Sequence, residues 1–208
     1  MLKIVISPNP ILAQKTKQVA KIGKATLALI EEMKLSLLSA KDPEGVGLAA
    51  PQVGHPLQIF VTKPSPKSPI QVFINPAISQ NHAEHHAASN AAGTFDGAAE
   101  PRGSEIQRSS ASGSAKISAS TKKLEGCLSL PNIWGEVARE PFTTLSYLDE
   151  KGASHTRKFS GLLATIVQHE IDHLNGTLFP KRVLEQKGKL YKSHKDEKGE
   201  DVFEEIKL

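Results

Sequence analysis

The chain has 208 residues, 38% of them hydrophobic, 5% aromatic and 23% charged, the make-up of a globular protein with a core and of one domain. No run nears the ~18 consecutive apolar residues of a membrane-spanning helix, so a transmembrane protein is excluded. The 26 Lys and Arg against 22 Asp and Glu leave a charge of +4, too slight to imply a nucleic-acid partner, which shows as a concentrated basic face.

The opening residues carry no basic segment leading into a long apolar one, and the single cysteine, Cys127, excludes an internal disulfide framework. Both features point to a reducing, cytoplasmic setting. Residues 2–6 read as an extended segment, and Pro8 and Pro10 block a helix after it. Over 24–40, Leu27, Ile30, Met33, Leu37 and Leu38 recur at helical spacing, and Asp42-Pro43 stops that helix. A Gly-rich stretch, 45–54, precedes two strand-like runs, 58–62 and 70–75, joined by a proline-rich turn.

Residues 79–123 differ in kind. Roughly half are Ala, Ser or Gly, and Phe95, Ile106 and Ile117 are the large apolar residues among them. Such a segment buries too little surface to offset its ordering entropy, so a disordered or loosely ordered low-complexity insertion is expected. His82, His85 and His86 within it fit a solvated polar loop better than a metal site. Order resumes at Leu124, with a hairpin of 142–149 and 154–159 turned at Asp149-Glu150-Lys151-Gly152. An apolar helix, 161–174, ends at Asn175-Gly176. Residues 181–195 carry six Lys or Arg and one acid, and 196–208 six acids and two lysines. A solvated helix or charged tail is the expected outcome there. The organisation expected is one domain over 1–180, interrupted by the insertion, and a tail over 181–208.

The last apolar helix contains His169-Glu170-Ile171-Asp172-His173. Histidines at i and i+4 lie one turn apart on one helix face and can converge on one metal ion, with Glu170 placed to accept a proton from water there. A catalytic metal needs a third protein ligand and an open position. An HExxHxxGxxH continuation is excluded, because Phe179 stands where the third His belongs, although Gly176 fits. Glu185 or the tail acids are one source of the third ligand. The other is Cys127 in Glu125-Gly126-Cys127-Leu128-Ser129, since a thiolate ligates strongly, although a lone cysteine also serves as a small buried hydrophobe.

Gly45-Val46-Gly47-Leu48-Ala49-Ala50-Pro51-Gln52, Glu125-Gly126-Cys127-Leu128-Ser129 and Gln168-His169-Glu170-Ile171-Asp172-His173, complete and in this order, resemble the three signature motifs of peptide deformylases. The resemblance implies an α+β fold, with antiparallel strands around a central helix that carries HExxH. It implies a hydrolase that removes the N-formyl group from the formylmethionine of nascent polypeptides and releases formate. It further implies one divalent metal ion on Cys127, His169 and His173. Fe(II) is the implied ion, and zinc, nickel and cobalt suit the same donors. Glu170 would carry the proton, and Gln52 and the Leu128 backbone N–H would hold the developing oxyanion. Val46, Gly47, Gly126, Leu162, Thr165 and Ile166 would bind substrate, with Leu162 and Ile166 equally readable as core. Glu44 and Arg139 resemble a family ion pair. Trp134 departs from the Arg that some members carry at its position, and Lys123-Leu124 before Glu125 is also atypical. The basic stretch 181–195 would dock the enzyme near the ribosome. Three alternatives are an HExxH peptidase, which needs neither Cys127 nor Gln52, a non-catalytic binding protein of the same fold, and a Cys–His hydrolase with Cys127 as nucleophile.

Overall fold

The computed structural model describes residues 1–41, 44–79 and 122–207. In chain order these form α1 (Lys24–Ser39), β1 (Gly47–Ala49), β2 (Ile59–Thr62), β3 (Gln71–Ile78), β4 (Lys123–Cys127), β5 (Leu130–Val137), β6 (Phe142–Leu148), β7 (Ser154–Ser160), α2 (Gly161–Leu174), α3 (Phe179–Glu185), β8 (Leu190–Lys195) and β9 (Asp201–Ile206). The strands make two antiparallel sheets, ordered β1-β2-β3-β6-β7 and β4-β5-β8-β9. This is a mixed α+β fold with few helices, as expected.

Hydrophobic burial explains the first sheet. β2 is apolar without alternation, which fits a strand covered on both faces. Leu48, Ile59, Val61, Val72 and Ile74 pack with Ile30, Met33 and Leu37 of α1. Their strand neighbours Ala49, Phe60 and Phe73 turn to the other face and pack with Ala164 and Val167 of α2, beside Tyr147 and Phe159. Burying each large side chain contributes roughly 1.5–3 kcal/mol, so this sheet holds two helices against its faces. β3 runs to Ile78, past the expected end at 75. Pro76 sits where the β3–β6 register shifts between Ile74 and Ala77, a place where a strand tolerates proline.

The second sheet corrects the expectation for the C-terminal residues, which form α3 and the β8–β9 hairpin. The basic and acidic blocks of 181–208 face each other across it: Lys192 pairs in register with Glu204, and Lys195 with Asp201. Lys189 Nζ lies 2.8 Å from Glu205 Oε2, and Lys195 Nζ 2.7 Å from Asp201 Oδ1. These exposed pairs add little stability, but they explain the charge segregation. Val183 and Phe179 of α3 pack with Cys127, Val137 and Leu190 in a separate core. The expected insertion and its histidines lie almost wholly outside the described residues. Of its margins, the Ser79 N–H donates to Thr144 O at 2.9 Å, and Lys123 already belongs to β4. Among the described residues, no helix is long and apolar enough to cross a membrane.

Candidate active site

Three segments meet where the two sheets approach α2. The first is the turn after β1, where Pro51 and Gln52 are buried. The Gln52 Oε1 accepts from the Ala49 N–H at 2.8 Å, so its amide nitrogen points at Cys127 Sγ (3.4 Å) and Ser129 Oγ (3.2 Å). The second is the end of β4, where Glu125 and Cys127 share the buried face. The third is α2, with Glu170 and His173 buried. The extended N-terminal residues clasp two of these together, the Val5 N–H donating to Gln52 O at 2.7 Å and the Ser7 N–H to Ser129 O at 2.9 Å.

Cys127 Sγ lies 3.2 Å from His173 Nε2. The donor atoms of Cys127, His169 and His173 all lie within 4.8 Å of one another. His169 Nδ1 is engaged by Glu125 Oε2 at 3.0 Å, which leaves Nε2 for the cluster. A carboxylate behind a histidine in this way fixes the ring and its tautomer, as it does around bound metals. One thiol and two imidazoles in tetrahedral reach suit a borderline-soft divalent cation. The buried Glu170 Oε2 has no hydrogen-bond partner among the described residues, so it is available to a water beside such an ion. The residues fit a metal.

The electrostatics agree. Burial alone raises the Cys127 thiol, but the charge of His173 and contacts with both histidines outweigh it and hold it well below the usual thiol range. Burial opposes charge on His169, yet Cys127 and Glu125 hold its pKa well above the usual value. Glu125 is likewise opposed by burial, and the Arg139 guanidinium and His169 bring it down to about 2. Glu170 is pushed the other way, up to about 7, chiefly by burial. The site thus favours a thiolate with positive charge against it, next to a carboxyl balanced between its two forms.

A cavity of about 210 Å³ opens beside the cluster. Cys127, His169, Glu170, Gln52 and Leu128 line it, as do Val46, Gly47, Gly126, Leu162, Thr165 and Ile166. His173 sits behind, 1% exposed. Leu162 is 56% exposed, which favours a cavity wall over core. Gly47 is required: a Cβ there would overlap Glu170 Oε1 and press on the Ile166 methyl at 3.0 Å.

The expected pairing of Glu44 with Arg139 is incorrect. Glu44 is exposed at the cavity mouth, whereas Arg139 is buried between two other acids. Its Nε donates to Glu125 Oε1 at 2.8 Å, Nη2 to Glu125 Oε2 at 2.9 Å and Nη1 to Asp172 Oδ2 at 2.6 Å. Arg182 of α3 completes the network through Asp172 Oδ1 at 2.6 Å. Glu125, Ser129, Asp172 and Arg182 were not singled out from the sequence. Glu125 had a visible signal, since i and i+2 in a strand share a face with Cys127. Asp172 had another, as a second acid, two residues after Glu170, in a helix that is otherwise largely apolar.

Comparison with known proteins agrees with this geometry. The family model described as polypeptide deformylase matches residues 1–189. A peptide deformylase of Borreliella burgdorferi is 34% identical over 203 residues, covering 95% of this chain and 98% of that protein. One of Christiangramia forsetii is 31% identical over 208 residues, covering 93% and 87%. Among solved structures, the peptide deformylase of Thermotoga maritima superimposes with a TM-score of 0.64 at 28% identity, covering 88% of this chain and 97% of that one. That of Synechococcus elongatus, solved in complex with actinonin, gives 0.62 at 31% identity, with 87% and 78% covered. A match across nearly the whole chain, joined to a thiol, two imidazoles and a partnerless carboxyl at one cavity, makes the chain a member of the polypeptide deformylase family.

Proposed function

We propose that Cys127, His169 and His173 hold one divalent metal ion, Fe(II) in the working enzyme, and that the residues around it deformylate nascent peptides. The reaction of the family, and of this chain, is hydrolytic removal of the N-formyl group from nascent polypeptides. When bound, the metal supplies a Lewis acid that polarises the formyl carbonyl and makes water nucleophilic near neutral pH.

The chain's own residues do the rest. Glu170 Oε2 takes a proton from the attacking water and delivers it to the departing amine, a role suited to a carboxyl balanced near neutrality. The Gln52 amide, locked by Ala49, and the Leu128 N–H donate to the oxygen on which charge develops. Donors fixed in advance spend nothing on reorganisation and lower the barrier by several kcal/mol. Leu162, Thr165 and Ile166 of α2 receive the methionine side chain. β1 is an edge strand of its sheet, so Gly47 has backbone available to pair with an extended peptide, with Val46, whose C=O accepts from the Lys63 N–H at 2.8 Å, and Gly126 as walls of the same cavity. The contacts of α2 with β1, β2, β6 and β7 support reading it as the central helix of the family fold. A cytoplasmic setting follows from the substrate.

The observation that carries this reading is the partnerless Glu170 carboxyl beside the Cys–His–His cluster. The test is anaerobic purification with metal analysis and deformylation of formyl-Met-Ala. Cys127→Ala is expected to lose both metal and activity. An active Cys127→Ala enzyme without metal would overturn the assignment, and equal aerobic stability of iron- and nickel-loaded enzyme would remove iron as the working ion.

A further inference from the structure

The matched family region ends at residue 189, just before β8 begins. The hairpin that follows is nonetheless tied to the cavity through one side chain. Trp134 stands directly across from Gly126 in the β4–β5 ladder, and its ring lies so close over the glycine that a Cβ there would meet ring carbon at 2.9 Å. On its other side the indole is held by the hairpin. Trp134 Nε1 donates to the Ser193 hydroxyl at 3.0 Å. The ring of Phe203, from the residue paired with Ser193, meets the indole edge-on at 5.7 Å between centroids. Gly135 and Val137 turn to the opposite face of β5, against α3, so Trp134 belongs to the face that looks into the cavity. It forms part of the cavity wall with Leu124 and Gly126, and it also borders a smaller hollow of about 100 Å³ behind it, flanked by Ser193, His194 and Asp201. The indole is therefore a partition with space on both sides, and the hairpin contacts hold it in place.

We propose that the β8–β9 hairpin is a positioning element that fixes Trp134 as a specificity-determining wall for the residues following the formylated methionine. The wall selects apolar over acidic side chains. Ser193 and Phe203 act through the indole and touch no substrate. The selection follows from the surfaces: the indole and the exposed Leu124 are apolar, and Glu44 at the mouth repels an acidic peptide. Gly126 is the one residue on its strand that leaves room for the ring, and Cys127 beside it joins this wall to the metal cluster. This inference rests on the deformylase reading and extends it to peptide choice.

Trp134 is the single tryptophan of the chain, so tryptophan emission, excited selectively over the two tyrosines, reports on this wall alone. The experiment uses metal-loaded enzyme with formyl-Met amide, formyl-Met-Leu-Leu and formyl-Met-Glu-Glu, and follows emission on titration with the product Met-Leu-Leu. Wild type is expected to favour the Leu peptide and to change emission as product binds. In Phe203→Ala and Ser193→Ala, KM for the Leu peptide should rise about three- to tenfold, the effect of one lost aromatic or hydrogen-bond contact, with kcat changed by less than about twofold. KM for formyl-Met amide should stay unchanged, emission of Phe203→Ala should shift to the red, and Phe203→Tyr should restore both values. Unchanged KM for the Leu peptide in both variants would overturn the proposal. So would equal losses on all three substrates, or loss of metal, because the hairpin would then be general support. If wild type hydrolyses no formyl substrate, the deformylase reading falls. The emission titration then decides the wall separately: no response to Met-Leu-Leu sinks it.

Discussion

Arg139 offers a sharp test of how the site is held. Replacing it with Met keeps the volume and removes the guanidinium, whose three hydrogen bonds to Glu125 and Asp172 span 2.6 to 2.9 Å. The side chains involved are 6–8% exposed, so solvent does not screen the loss. Removing one partner of a buried ion pair costs about 3–5 kcal/mol, because the other charge is left stranded. Here Glu125 retains His169 and Asp172 retains Arg182, which places the expected cost near the lower end, at ~3 kcal/mol. For a chain of this size, that is a fall in melting temperature of about 6 to 12 °C. A second effect follows from the chain Arg139–Glu125–His169. With Glu125 free to move, His169 loses its fixed orientation, and disturbing such an outer partner weakens metal affinity about 10- to 100-fold. Thermal melts of apo and metal-loaded protein measure the first effect, and competition with a chelator measures the second. Glu44→Gln is the control, expected to change neither. An Arg139→Met protein with wild-type melting and wild-type metal affinity would refute the network, and a large loss in Glu44→Gln would restore the pairing rejected above.

Glu170→Gln should keep its metal and lose about 10²- to 10⁴-fold in kcat, since proton transfer alone is removed; metal analysis beside steady-state rates checks it, and near-normal turnover would take Glu170 out of the mechanism. Gly47→Ala should also retain metal yet lose at least ~10-fold in kcat, because its methyl must displace the Glu170 carboxylate, and a misplaced catalytic group costs heavily; a fully active variant would show that Glu170 works from another position. Replacing residues 80–120 with a short Gly/Ser linker should leave kcat on formyl-Met-Ala and metal content nearly intact and change stability by less than ~1 kcal/mol, since loop closure depends weakly on length. A replacement that unfolds the protein would contradict the composition argument.

Much of the fold was legible because burial leaves period and punctuation in sequence. The α1 period, the apolar run of β2 and the Asn175-Gly176 stop each map onto one element, with Gly176 at φ +68 supplying the left-handed turn after α2, although Leu27 and Leu38 of the expected α1 stripe are exposed and Leu29 is buried with Ile30, Met33 and Leu37 instead. The C-terminal hairpin was missed because β8 and β9 are dominated by charge, with Leu190 and Ile206 as their core contacts. Its signal was in pairing, not in hydropathy: a basic block followed by an acidic block, with the Asp196–Gly199 turn between them, is what an antiparallel ladder of opposite charges looks like when written out linearly. That pairing also bears on the ribosome-docking expectation. Of the six cations at 181–195, Arg182, Lys189 and Lys195 face acids of this same chain, so much less positive charge is left to meet phosphate than the run suggests.

The ligands and Glu170 were readable because their spacing carries the geometry: one turn of helix joins the histidines, and a glycine-flanked cysteine offers the third donor. The support around them was not, because it depends on distance between segments remote in sequence. Arg139 is 14 residues from Glu125 and 33 from Asp172; Glu125 lies in β4, Asp172 in α2 and Arg139 between β5 and β6, so no helical or strand period links them. Its nearest textual match, the family pairing with Glu44, led elsewhere. Physical reasoning would still have narrowed the choice. Asp172 lies on the buried side of a helix and Glu125 on the buried face of a strand, so each needs a cation, whereas Glu44, exposed before a Gly-rich stretch, needs none. A buried acid creates a demand that an exposed one does not, and the guanidinium goes where that demand is greatest.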